Sequence, residues 1–342
     1  GIVVDDDNKI WFTETNAGNV GMFDPQTEQF IEYENKLWPK GTNSMMWGIL
    51  LTDDDEIWFT DENHDSLWRF SIDEKKYFAY TFSGNHTMKF PQKIIPDGKN
   101  FLINDFTGNK ISVIDNNELH SNATLPAQIT TSAGFFTGPK ALDNNGYLWF
   151  FAWKYQAQTS LIKFDKNNDK ATMLDFTGII LAPNGLSIDD ENNLWISDTA
   201  SSNFIKFDSE SKQIIKYVTS FPREITYGNA SGLIKTPISK PYSNKIYDLN
   251  TEKLIEYLIP SRNPKWADCG DQTDCGVSQA FGFSKSGTNI WYTTWVENSI
   301  GVIDLSIPLP LEIQFDTKDI SVKPGGSHIL TLSVTLNEDH PE

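Results

Sequence analysis

The amino-acid sequence predicts an all-β chain assembled from repeated four-stranded units, on three observations. A short apolar segment centred on tryptophan recurs at a near-constant interval. Acidic, Asn or Gly turn residues stand before each copy. Aromatic residues make up 13% of the 342 residues, whereas helix-starting and helix-stopping patterns are scarce.

The segment is Lys9-Ile10-Trp11-Phe12-Thr13-Glu14. It returns around Trp58, Trp149, Trp195 and Trp291, each time as a run of β-branched and aromatic residues. Trp11 and Trp58 stand 47 residues apart, and Trp149 and Trp195 stand 46 apart. The longer gaps, 91 from Trp58 to Trp149 and 96 from Trp195 to Trp291, are two periods each. A weaker copy therefore falls in each gap, at Phe101–Asp105 with Leu102 in the Trp place and at Gly232–Thr236 with Ile234 there. Seven copies of a four-stranded unit predict a seven-bladed β-propeller.

Within a unit the parts keep one order. In the first they are an opening strand over Gly1–Val4, a turn at Asp5–Asn8 and the Trp strand Ile10–Thr13. A strand over Val20–Phe23 and an outer strand over Phe30–Tyr33 follow. The period-two pattern assigns Trp11, Trp58, Trp149, Trp195 and Trp291 to the core between blades. Acidic runs such as Asp53–Asp55 and Asp189–Asn193 fall at the tight hairpin, where Asp, Asn and Gly tolerate left-handed backbone. They lack the liganding spacing of a calcium loop. The third and sixth units are weakest, the sixth carrying Pro237 and Pro241 where strands are expected. A long insertion, Ser261–Val277, precedes the seventh. Its Cys269 and Cys275, six apart, fit a disulfide closing a small loop better than a metal site.

The propeller is assigned to residues 1–305. Gly1-Ile2 matches the middle of later repeats (Gly48-Ile49, Gly185-Leu186), so the leading part of the first repeat is expected upstream of Gly1. Residues 306–342 read as a linker with Pro308 and Pro310, then strands over Leu311–Phe315, Ile320–Val322 and Ile329–Leu336. These are expected to be the start of an immunoglobulin-like β-sandwich or an extension packed on the propeller.

A formal charge of −18 argues against nucleic acid or an anionic membrane surface as partner. No apolar run approaches the ~20 residues of a membrane span. Asn-x-Ser/Thr triplets at Asn85, Asn122 and Asn229 are glycosylation candidates. With the cysteine pair, they point to an extracytoplasmic protein, secreted or at the cell surface.

The repeat, best seen from Ile10 to Asp24, resembles the virginiamycin B (streptogramin B) lyase family of seven-bladed propellers. That resemblance implies a site at the mouth of the central channel, where the family opens a cyclic ester by elimination with a histidine base and a metal. The family's histidine positions are Arg223 and Phe281 in this chain, and its five histidines lie elsewhere. A second, more local resemblance, Pro183-Asn184-Gly185-Leu186, is to the metal-binding segment of gluconolactonase-type propellers; Arg223 replaces that family's acid. The ring expected at the mouth is Trp47, Gln92, Lys140, Asn184, Arg223 and Phe281, with Glu14, Asp61, Asp105 and Asp198 at the ends of the Trp strands. The expectation is an exported binding or scaffold module with no catalytic residue, metal or cofactor. Its partner would be another cell-surface protein or a small polar ligand. The alternative is a lyase-like or lactonase-like enzyme using Mg or Ca. Lys140 would then be the base, its pKa lowered by Arg223.

Overall fold

A computed structural model of the chain describes residues 1–42, 45–83, 87–115, 127–130, 134–154, 157–198, 203–218, 243–248, 253–258, 280–294, 298–317 and 321–337. Among them every regular element is a β-strand. The first blade is β1 (Ile2–Val4), β2 (Ile10–Glu14), β3 (Asn19–Asp24) and β4 (Gln29–Tyr33), antiparallel in that order. The second is β5 (Ile49–Leu51), β6 (Glu56–Asp61), β7 (Ser66–Ser71) and β8 (Lys76–Thr81). The third is β9 (Pro91–Asp97), β10 (Asn100–Asp105), β11 (Lys110–Asp115) and β12 (Ala127–Thr130). The fourth is β13 (Phe136–Leu142), β14 (Leu148–Lys154), β15 (Gln158–Asp165) and β16 (Lys170–Asp175). The fifth is β17 (Pro183–Ile188), β18 (Asn193–Asp198), β19 (Asn203–Asp208) and β20 (Ile214–Val218). A hairpin of β21 (Ser243–Asp248) and β22 (Lys253–Leu258) comes next. A three-stranded blade of β23 (Ala280–Ser286), β24 (Asn289–Thr294) and β25 (Ile300–Asp304) follows.

Inner strands β1, β5, β9, β13 and β17 neighbour one another in that order, and β23 lies against β1, which is the arrangement of a β-propeller. Six blades of three or four strands stand among the described residues, rather than the expected seven. The unit around Ile234 is represented by the β21–β22 hairpin alone. Gly232–Thr236 lie outside the described residues, as do Arg223, Cys269, Cys275, Asn85, Asn122 and Asn229.

The tryptophan repeat is explained by where each ring packs. Trp11 joins Ile57, Phe59 and Phe70 of the second blade, and Trp58 joins Phe101, Ile103 and Ile114 of the third. Leu102, in the Trp place, joins Leu148 and Phe150 of the fourth, and Trp149 joins Leu194, Ile196 and Phe207 of the fifth. Trp291 closes against Ile2 and Ile10 of the first. From Trp11 to Trp149 each such residue faces the following blade, while its two strand neighbours face the preceding one, as a period of two requires.

The acidic turns hold these strands. Asp5, Asp143 and Asp189 accept from Trp11, Trp149 and Trp195 Nε1 at 2.7, 2.9 and 2.8 Å. Their other oxygens take the backbone N–H of Lys9, Tyr147 and Asn193. Left-handed residues just before the Trp strands, including Asn8, Asp55 and Asn192, close the turns.

Beyond the propeller, β26 (Leu311–Phe315) pairs antiparallel with β27 (Leu332–Leu336). The strand expected at Ile320–Val322 is not formed by its described residues, and the last strand begins at Leu332 rather than Ile329. Pro324 and the left-handed Gly325 turn the chain within this connection.

Candidate functional site at the channel mouth

Each inner strand begins beside the end of its Trp strand. Pro91 pairs with Asp105, Pro183 with Asp198 and Ala280 with Thr294, so the ring residues and strand-end acids share one end of the channel. The ladders slip at this point. Gln92 and Lys93 together oppose Asn104, Asn184 is an extra residue between Pro183 and Gly185, and Phe281 and Gly282 oppose Thr293. A further slip separates Thr137 from Lys140. A bulge bends its strand and re-aims the side chains on it. Its recurrence at the ring positions makes the mouth a built feature of the repeat.

A second repeated device ties the blades together beneath the mouth. Thr60 Oγ1 accepts from Gly48 N within its own blade at 3.0 Å and donates to Gln92 O of the next. Thr13 Oγ1 donates to Met46 O at 3.2 Å, and Asn104 Nδ2 to Thr137 O at 3.2 Å. This accounts for the Gly and Thr of the repeat. A Cβ on Gly48 would stand 2.3 Å from Gln92 O, so only glycine permits the approach.

The strand-end acids have distinct surroundings. Asp198 is buried and accepts from Leu181 N and Ala182 N at 2.9 and 2.8 Å, clamping the loop that enters β17. Asp105, also buried, accepts from Lys89 N at 3.0 Å and pairs with Lys110 at 3.3 Å. Burial pushes its carboxyl up to about 6 despite those partners. Asp61 is buried and lies 2.6 Å from His64 Nδ1, with Trp38 edge-on to that imidazole. Glu14 accepts from Asn19 Nδ2 at 3.1 Å, and burial raises its pKa.

Of the ring, Asn184 is exposed, Trp47 and Gln92 are half-buried, and Lys140 is 4% exposed. Gln92 Nε2 reaches Glu62 Oε2 at 3.4 Å. Burial raises the Glu62 carboxyl to about 7. Lys140 Nζ donates to Lys93 O at 2.7 Å and to Asn104 Oδ1 at 3.2 Å. Its pKa falls well below the usual lysine value, first through burial and then through Lys93. The contribution expected from Arg223 lies outside the described residues. Burial also lowers Lys93. Sequence reasoning missed Lys93, Glu62, His64 and Asn104. The bulge at Gln92 and Lys93 interrupts the regular alternation, and the sequence pattern carries no mark of it.

No three His, Cys, Asp or Glu side chains among the described residues converge. Asp198 and Asp105 are committed to backbone N–H groups, and Lys93 and Lys140 add positive charge.

Comparison with solved structures agrees with this architecture. A streptogramin B lyase superposes with a TM-score of 0.64 at 15% identity, covering 88% of this chain and 91% of its own. In fold, the chain resembles the virginiamycin B lyases. A catalytically inactive virginiamycin B lyase from Staphylococcus aureus with quinupristin gives the same TM-score at 16% identity, over 88% of this chain and 93% of that one. The extracellular domain of a hybrid two-component system from B. thetaiotaomicron gives 0.60 at 14% identity, over 91% of this chain and 40% of that one. No sequence-family profile and no curated protein matches the chain.

Proposed function

We propose that this chain is an extracytoplasmic, seven-bladed propeller that binds a small polar ligand at its channel mouth and lacks lyase catalysis. The observation that carries the reading is the repeated bulge, which sets Gln92, Lys93 and Asn184 at one end of the channel. Amide and lysine donors there suit the binding of a polar ligand. Phe281 occupies one of the positions where the lyases carry histidine, and Arg223 the other. Fold likeness to the extracellular domain of a sensor protein supports the location, as do the Asn-x-Ser/Thr triplets and the cysteine pair. The seven-unit repeat supports the blade count, with β21–β22 as part of the sixth blade.

The test is a ligand screen on the purified chain by NMR, with Trp47→Ala and Asn184→Ala variants. Ligands of the wild type are expected to be lost from both variants while folding is kept. Ligands that bind all three proteins equally would sink the assignment of the mouth. Incubation with quinupristin should leave that depsipeptide intact, and ring opening would restore the enzyme reading.

A further inference from the structure

We propose that Lys93 and Lys140 form a binding site for a small anion, a carboxylate or a phosphate, on the channel side of the third and fourth blades. The inference rests on the binding reading above and names the chemistry of its ligand. Lys140 reaches out of β13 to the third blade and ends on two neutral acceptors, Lys93 O and Asn104 Oδ1. Asn104 is itself held by Thr137 O, so the direction of the amine is set before any ligand arrives.

Neither lysine pairs with a carboxylate among the described residues, although the chain carries 46 acids against 28 Lys and Arg. The acids on neighbouring elements are occupied. Asp105, next to Asn104, is taken by Lys110 and Lys89 N, and Glu62 faces Gln92. The charged group acting on Lys140 is Lys93, whose field also reaches the amine of Gly1 at the head of β1.

A buried ammonium without a counter-ion is costly, and two near one another are more so. Burial lowers the pKa of the Lys140 amine strongly and that of the half-buried Lys93 less. A bound anion supplies the missing charge and reverses that balance. Binding then takes up protons, and affinity falls as pH rises through the amine pKa values. The amide of Gln92, beside Lys93, and the exposed amide of Asn184 offer further donors at the same mouth.

The full chain, labelled with ¹³C-lysine, tests this by NMR titration of the side-chain εCH₂ signals in low-salt buffer. Sodium phosphate and sodium acetate serve as separate probes. Two lysines are expected to titrate below the others and to move upward with at least one probe. Phosphate alone acting assigns a phosphate ligand, and acetate alone assigns a carboxylate. Lys93→Met should weaken binding by about tenfold or more, equivalent to about 1.4 kcal/mol. That variant leaves the Lys140 bonds to backbone and Asn104 in place, so it decides the matter even if Lys140→Met fails to fold. Lysines that all titrate together, signals unmoved by both anions, or unchanged affinity in Lys93→Met would each overturn the proposal. If neutral solutes still bind at Trp47 and Asn184, the binding module stands and the anion site alone falls. If nothing binds at the mouth, both fall.

Discussion

Thr60 shows how much one hydroxyl does here. It takes the N–H of Gly48 and gives its own proton to Gln92 O, joining two blades through one oxygen. Thr60→Val keeps the shape and strands both backbone groups where water does not reach them. The expected loss is about 2–3 kcal/mol, read from urea denaturation, since each buried group left unpaired costs about 1–3 kcal/mol. A loss below about 0.5 kcal/mol would show that the backbone groups find other partners. Glu62 makes a prediction of the opposite kind. Its folded pKa, about 7, lies above its ordinary value of 4.5, so the folded state holds the proton longer than the unfolded chain does. Stability is fully present below pH 4.5 and is lost as pH rises toward 7. Glu62→Gln should flatten that fall by roughly 2 kcal/mol, measured by denaturation at both ends of the window. An unchanged slope would place the titration elsewhere.

At the scale of the element, the hairpin between inner strand and Trp strand is fastened by an aspartate. Asp189 accepts from Glu191 N, Asn193 N and Trp195 Nε1, so one side chain sets both the turn and the indole. Asp189→Ala is expected to cost about 2 kcal/mol, with charged-group hydrogen bonds each contributing about 1.5–3 kcal/mol and partial rescue of the exposed groups by water. Hydrogen exchange should show the loosening concentrated in β17 and β18. Uniform loosening of all blades would contradict a local role. The same element scale marks where sequence reading stops. Alternation places Trp149 in a blade interface correctly, but a bulge adds a residue without leaving a mark in the pattern. Lys93 therefore needed the ladder to be seen.

For the whole molecule, the seams between blades are the core. Trp149 is 1% exposed and packs on the fifth blade, so Trp149→Ala opens a cavity in a seam rather than within one sheet. The expected cost is about 3–5 kcal/mol, seen as a lowered denaturation midpoint. A cost near that of an exposed substitution would mean that the blades repack freely. The ring of blades also brings residues distant in the sequence together at the mouth. Lys140 belongs to the fourth blade, its acceptors Lys93 and Asn104 belong to the third, and Gln92 meets Glu62 of the second.

The sequence by itself determined the repeat, the strand order within a unit, the turn role of its acids and the inward place of the tryptophans. Those properties follow from short-range patterning and from a period that each unit repeats. It also offered Lys140 and Asn184 as candidates for the mouth. Only the tertiary structure decided that Asp105 and Asp198 clamp backbone N–H groups. The same holds for His64 meeting Asp61 and for Lys93 joining Lys140. Most of these contacts cross a loop, a bulge or a boundary between blades, where distance along the chain carries no information about distance in space.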